Sequence, residues 1–248
     1  MLRPVLTALL LTATPALAFD IEAMTDAERE AFRAEIRAYL LENPEVLMEA
    51  IGVLEERRAE ASAAEEGVML ETHRAAIFED GYSWVGGNPD GDVTMVEFLD
   101  YRCGFCKRAH PHVNQLLEMD GNIRYIVKEF PILGEQSVLA SRYAISVLQI
   151  AGDEAYGKVH DALMTWNGDI TEGALARIGR EAGIDHDAVV AHMNTDAVTK
   201  IIDQNHALAA ELKIQGTPSF VMGDKFVRGY VELDQMLEIV DGIRDARG

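Results

Sequence analysis

Two cysteines three residues apart constrain this chain more than any other feature. Cys103-Gly104-Phe105-Cys106 follows one strand-like run and opens a helix-like one. The preceding Val93-Thr94-Met95-Val96-Glu97-Phe98-Leu99 is short, mostly apolar and rich in strand formers, as a buried strand requires. Cys103 to Met119 carries Val113, Leu116 and Leu117 at helical spacing. A helix N-terminus has unpaired N–H groups and about half a positive charge, and both stabilise an anion there. A cysteine so placed can fall from a pKa of about 8.5 to roughly 3.5–7.5. The spacing predicts an exposed, nucleophilic Cys103 and a buried Cys106 one turn inside. Cys106 then releases the mixed disulfide that forms on Cys103. Arg102, Lys107, Arg108 and His110 cluster beside the motif and are expected to reinforce its field.

Other uses of the pair fit less well. So short a loop makes a poor structural staple. Haem attachment needs histidine directly after the second cysteine, where Lys107 stands. A copper or zinc site could draw on Cys103, Cys106, His110 and His112. Pro111 interrupts that set, however, and no second CxxC completes it. The thiol chemistry itself calls for no cofactor and no metal.

The compartment follows from the first residues. Arg3, the apolar run Val5–Leu11 and the small residues Ala16-Leu17-Ala18 have the three-part layout of a secretory signal peptide, cleaved after Ala18. Export puts the cysteines in an oxidising environment, with the periplasm the expected location. With 42 acidic against 22 basic side chains, the formal charge of −20 argues against nucleic-acid binding.

The chain divides into residues 1–18, a helical segment over 19–80, and a mixed α/β domain over 81–248. Thr25 and Asp26 are N-cap candidates, and Phe32, Ile36, Tyr39 and Leu40 line one face. Asn43-Pro44 breaks that pattern, and Leu47, Ile51 and Leu54 continue at heptad spacing. Gly67 reads as a joint. This segment is too small and too charged to bury a core of its own, so it packs on the rest of the chain or on another subunit. Gly81 to Gly91 reads as a turn-rich boundary. Ile123–Val127 reads as a second strand, residues 136–212 as a helical insertion, and Ser219–Met222 with Phe226-Val227-Arg228 as a hairpin before a last amphipathic helix. The order implies one mixed sheet interrupted by helices.

Three features resemble the thioredoxin superfamily, and the exported DsbA-type thiol-disulfide oxidoreductases most. They are the stretch VEFLDYRCGFCKRAHP, the segment Gly216-Thr217-Pro218-Ser219-Phe220 before a strand, and the long helical insertion. The resemblance implies an α/β thioredoxin fold with a helical insertion and an N-terminal helical extension. It implies that Cys103 and Cys106 are the catalytic pair and that Pro218 is a cis-proline beside a substrate-binding Thr217. It also implies that Glu97 is the acid that moves the proton of Cys106, and that Pro111 kinks its helix. The implied partners are exported cysteine-containing proteins and a membrane redox partner. Tyr39 to Ala50 resembles the N-terminal segment of ScsC-like proteins, some of which oligomerise through it and act as isomerases. Phe105 inside the motif and Thr217 before the proline resemble the DsbC isomerase class, whose N-terminal dimerisation domain this chain lacks. Isomerase or reductase within a homo-oligomer built on residues 19–80, and monomeric dithiol oxidase, both stay open at this point.

Overall fold

The computed structural model describes residues 23–247; the signal-peptide reading of residues 1–18 lies outside them. The described residues form two compact units that divide at Glu60/Ala61, within helix α2.

In the first unit, α1 spans Asp26–Glu42 and α2, Glu45–Thr72, begins. Thr25 caps α1 through a reciprocal box: its Oγ1 accepts from the Glu28 backbone N–H, and Glu28 accepts from the Thr25 N–H. The Asn43 side chain donates to the Tyr39 carbonyl, 2.9 Å away, where the helix ends before Pro44. No residue of α1 is buried, and Ile36, Tyr39, Leu47, Ile51 and Leu54 are all exposed.

The second unit holds the sheet. Its strands are β1 (Trp84–Gly87), β2 (Val93–Leu99), β3 (Ile123–Glu129), β4 (Ser219–Met222) and β5 (Lys225–Arg228), in spatial order β1-β3-β2-β4-β5. β2 and β3 are parallel, and every other neighbouring pair is antiparallel. Helix α4 (Gly104–Asp120) makes the parallel crossover between β2 and β3. The insertion comprises α5 (Glu135–Thr165, broken at Gly152), α6 (Glu172–Ala182), α7 (His186–His192) and α8 (Asp196–Glu211). Helix α9, Leu233–Asp245, closes the chain.

Alternation along the strands sorts side chains between two cores. On one side Val93, Met95 and Leu99 of β2 meet Ile123, Tyr125 and Val127 of β3, with α4, α5 and α9 packed over them. On the other side Val96, Phe98, Ile126 and Val221 meet Leu70, Ile77, Leu208 and Leu212. Leu70 lies in α2 and Ile77 in the short helix α3, Arg74–Phe78. Residues 61–80 therefore pack against the sheet, inside the span that the sequence reading assigns to an N-terminal segment. Gly67 interrupts nothing, because α2 runs through it.

β1 falls where the sequence reads only turns. It has four residues, two of them glycine, so no periodicity announces it. Gly87 there has φ +64, and a Cβ would lie 2.4 Å from the Ile123 carbonyl oxygen. The Trp84 indole holds the strand to the insertion by donating to the Asp153 carbonyl at 3.0 Å.

Lys128 is fully buried on the second face, where its ammonium meets the Asp80 carboxylate and the Ala76 carbonyl. Burial pulls the lysine pKa down, and Asp80 opposes that fall. Asp80 also accepts from the backbone N–H groups of Tyr82 and Ser83, which shapes the approach to β1. Removing one partner leaves an uncompensated buried charge, so Asp80→Ala should lose about 3–5 kcal/mol in denaturant unfolding followed by tryptophan fluorescence. The double variant Asp80→Ala/Lys128→Met should lose less than Asp80→Ala alone.

Candidate active site

The site forms where β2 runs into α4. Asp100 makes the corner: its buried carboxylate accepts from the backbone N–H groups of Arg102 (2.7 Å), Ile132 (2.8 Å) and Leu133 (3.0 Å). Cys103 is the N-cap of α4, and its Sγ accepts from the Cys106 N–H at 3.3 Å. A cysteine thus fills the position usually held by Ser, Thr, Asp or Asn. Cys106 lies one turn inside and is fully buried.

Cys103 is less accessible than the spacing predicts, at 6% exposed. The cause is the loop before β4. The Thr217–Pro218 peptide is cis, and the Thr217 carbonyl oxygen lies 3.1 Å from Cys103 Sγ. Phe105, between the two cysteines, stays 59% exposed and tilts against the Tyr230 ring.

The Cys103 pKa falls to about 6. Its main cause is a hydrogen bond from the Cys106 thiol, helped by the Thr217 side chain and by the backbone N–H groups of Cys106 and Phe105, against the opposing effect of burial. The flanking cations do not produce it. Arg102 donates to the Gly168 carbonyl, and Lys107 to the Trp166 carbonyl. Arg108 lies over the Tyr230 ring and pairs with Glu232, while His110 meets Asp161. Cys106 shifts the other way, because burial and the neighbouring Cys103 and Glu97 charges all favour its neutral thiol.

Glu97 shares the strand parity of Met95 and Leu99, which carries it to the α4 side of the sheet. It is 1% exposed. The Tyr125 hydroxyl donates to Oε2, while Oε1 has no hydrogen-bond partner. Burial pushes its pKa up to about 8, against the effect of Tyr125, and the Cys103 charge adds to the rise. The structure thus brings together Cys103, Cys106, Glu97, Thr217 and Pro218. It adds Asp100 and Tyr125, which the sequence reading passes over. Tyr125 was accessible to it, since Tyr125 alternates with Ile123 and Val127 in a strand parallel to β2. The four-ligand metal alternative does not assemble. His112 faces Tyr230 and Glu232, while His110 lies with Asp161.

A profile described as the DSBA-like thioredoxin domain matches residues 94–241, and one described as the copper resistance protein ScsC N-terminal domain matches residues 28–61. A thioredoxin-like oxidoreductase from Silicibacter pomeroyi is 42% identical, covering 69% of this chain and 98% of that one at a TM-score of 0.66. A linker-deletion mutant of ScsC from Proteus mirabilis is 28% identical, covering 92% of this chain and all of that one at a TM-score of 0.69. A curated relative, Na(+)/H(+) antiporter NhaA 1 of Salinispora arenicola, is 26% identical over 153 residues, 61% of this chain. The chain spans 23% of that relative's length.

Two measurements check the electrostatics. Thiolate absorbance of the reduced protein should titrate with a midpoint of about 6. In Cys106→Ala, which removes the leading donor, the midpoint should rise towards the ordinary thiol range. Glu97 should act on stability with the opposite pH dependence. Its folded pKa of about 8 exceeds the ordinary 4.5, so the folded state keeps a proton that the unfolded state gives up. Stability then falls as pH rises through that window. Glu97→Gln removes this loss, so in denaturant titrations its stability relative to wild type should rise by a few kcal/mol across the window, on the order set by the shift.

Proposed function

The chain belongs to the DSBA-like thioredoxin domain family, and on that premise we propose that it exchanges disulfides with exported proteins in the periplasm, after loss of residues 1–18. The observation that carries this reading is the split between the two sulfurs. The Cys103 pKa is lowered to about 6, so at neutral pH Cys103 is largely a thiolate, while Cys106 is held as a buried thiol.

Reduction of a substrate disulfide takes two exchanges. The Cys103 thiolate attacks one substrate sulfur, forming a mixed disulfide and releasing the other sulfur as a thiolate. Cys106 then gives its proton to Glu97 and attacks Cys103 Sγ. The second substrate sulfur leaves, and a Cys103–Cys106 disulfide remains. The substrate gains two electrons and the cysteine pair loses them. Glu97 suits the proton step, because it is buried and has a free oxygen, and because forming the mixed disulfide removes the Cys103 charge that helps hold its pKa up, which favours the ionised carboxylate that accepts the proton. A shallow groove beside the thiolate, lined by Gln215, Gly216, Thr217, Pro218 and Ser219, supports binding of an extended polypeptide through the backbone of that loop.

The reading leans to isomerase or reductase within a homo-oligomer. Its support is the exposed apolar row Ile36, Tyr39, Leu47, Ile51 and Leu54, together with the ScsC-type match over residues 28–61. One observation favours dithiol oxidase instead. A stabilised Cys103 thiolate stabilises the reduced pair and so makes its disulfide more oxidising. Either direction needs a membrane redox partner to reset the pair. Mass in solution and recovery of scrambled ribonuclease separate the two. The full chain should be oligomeric and restore ribonuclease activity, Cys103→Ser should abolish recovery, and Cys106→Ser should accumulate mixed disulfides. A monomer that oxidises reduced ribonuclease but leaves the scrambled form inactive would reverse the lean. A wild type that leaves both forms unchanged would overturn the exchange reading itself.

A further inference from the structure

One helical turn beyond Cys106, on the same face of α4, lies His110. It meets His160 and Asp161, adjacent residues of α5. One ligand atom from each of the three lies within 4.8 Å of the others. We propose that His110, His160 and Asp161 bind one divalent first-row metal ion of the zinc class, at a site separate from the thiol pair.

With Glu129 ionised, hydrogen bonding sets the tautomer of His160. The Tyr101 hydroxyl has one proton and donates it to Glu129 Oε1 at 2.7 Å. Its oxygen therefore accepts from His160 Nδ1–H, 3.1 Å away. The Tyr156 and Ser141 hydroxyls also donate to Glu129, at 2.6 and 2.7 Å, and hold that carboxylate in place. His160 is thus the tautomer with a bare lone pair on Nε2. That atom is buried and has no hydrogen-bond partner. An unsatisfied buried acceptor is costly. A histidine with one ring nitrogen anchored by a hydrogen bond and the other left free has the usual arrangement of a metal ligand.

The other two groups complete the set. His110 Nε2 lies 3.1 Å from Asp161 Oδ1 and 3.2 Å from Asn114 Nδ2. Ligands of a tetrahedral zinc ion, with bonds of about 2.0–2.1 Å, sit about 3.3 Å apart. His110 and Asp161 already have that spacing, and His160 needs to close by at most about 1.5 Å. Two neutral imidazoles and one carboxylate suit zinc, copper or nickel better than magnesium or calcium. An ordinary His110–Asp161 pair accounts for those two residues but not for the bare nitrogen of His160. Asp161 remains largely exposed, and a depression lined by Asn114, Thr165 and Asn167 opens beside it, which leaves a fourth position to solvent. Lys107 lines the same depression, with its ammonium tied to the Trp166 carbonyl.

The test is calorimetric titration of Zn²⁺ into the full chain carrying Cys103→Ser and Cys106→Ser, which removes the thiols as ligands and makes the outcome independent of the exchange reading. The expected result is one ion per chain, with affinity reduced tenfold or more by His110→Gln, His160→Gln or Asp161→Asn. Tyr101→Phe, which removes the anchor of His160, should weaken binding about 10–100-fold. Histidine-ring NMR should show His160 and His110 responding to Zn²⁺ while His160 keeps its Nδ1 proton. Asp161→Asn changes an exposed residue and decides the matter even if a buried-histidine variant fails to fold. No saturable uptake by the Ser/Ser chain, or uptake undiminished in Asp161→Asn, would overturn the site.

Discussion

A single sulfur atom caps a helix and carries the reactive electrons. Cys103 Sγ receives the free N–H of Cys106, in the first turn of α4, so the groups that end the helix also stabilise the anion. The Cys106 thiol is the largest contributor to that stabilisation, and the Thr217 side chain adds to it. A fall from an ordinary 9.0 to about 6 corresponds to on the order of 4 kcal/mol in favour of the thiolate. The corner built by Asp100, whose carboxylate accepts from the Arg102 N–H, and the burial of Cys106 hold that atom at the helix mouth. Local hydrogen bonds do this work, and the nearby cations Arg102, Lys107 and Arg108 are engaged with other partners.

The sheet distributes its polar groups by strand parity. Glu97, Tyr125 and Glu129 share the face that carries α4 and α5, while Lys128 points to the opposite core. Each side then solves its own desolvation problem. Glu129 is surrounded by three hydroxyls and Lys128 by a carboxylate and a carbonyl. Glu97 keeps one oxygen unsatisfied beside the buried thiol. A group left short of partners next to reactive atoms is a common mark of a working site, whereas Glu129 and Lys128 have theirs.

Much of this was legible along the chain. The strand Val93–Leu99 has the bounds its composition predicts, and the second strand of the hairpin starts at Lys225, one residue before the predicted Phe226. Thr25, one of the two candidate caps, caps α1 as a short polar residue does. What escaped were features set by distant contacts. β1 is too short and too rich in glycine to show a period, and it exists because β3 offers an edge. Cys103 looks open from its position in the helix, but the loop at Thr217, more than a hundred residues away, covers it. His110 stands fifty residues from His160, so no local spacing relates them. The cationic cluster misled for the opposite reason: proximity in sequence says nothing about where long, flexible side chains find their acceptors.

The uncovered row on α1 and the start of α2 has a thermodynamic corollary. In the oligomer proposed above, the copy that shields Ile36, Tyr39, Leu47, Ile51 and Leu54 would recognise those helices only while they are wound, and so would act as a ligand of their native form. By mass action the melting point of that segment then shifts with the amount of partner present. Dilution alone would unravel it before the catalytic body yields, and its stability would be a property of the solution as much as of the polypeptide.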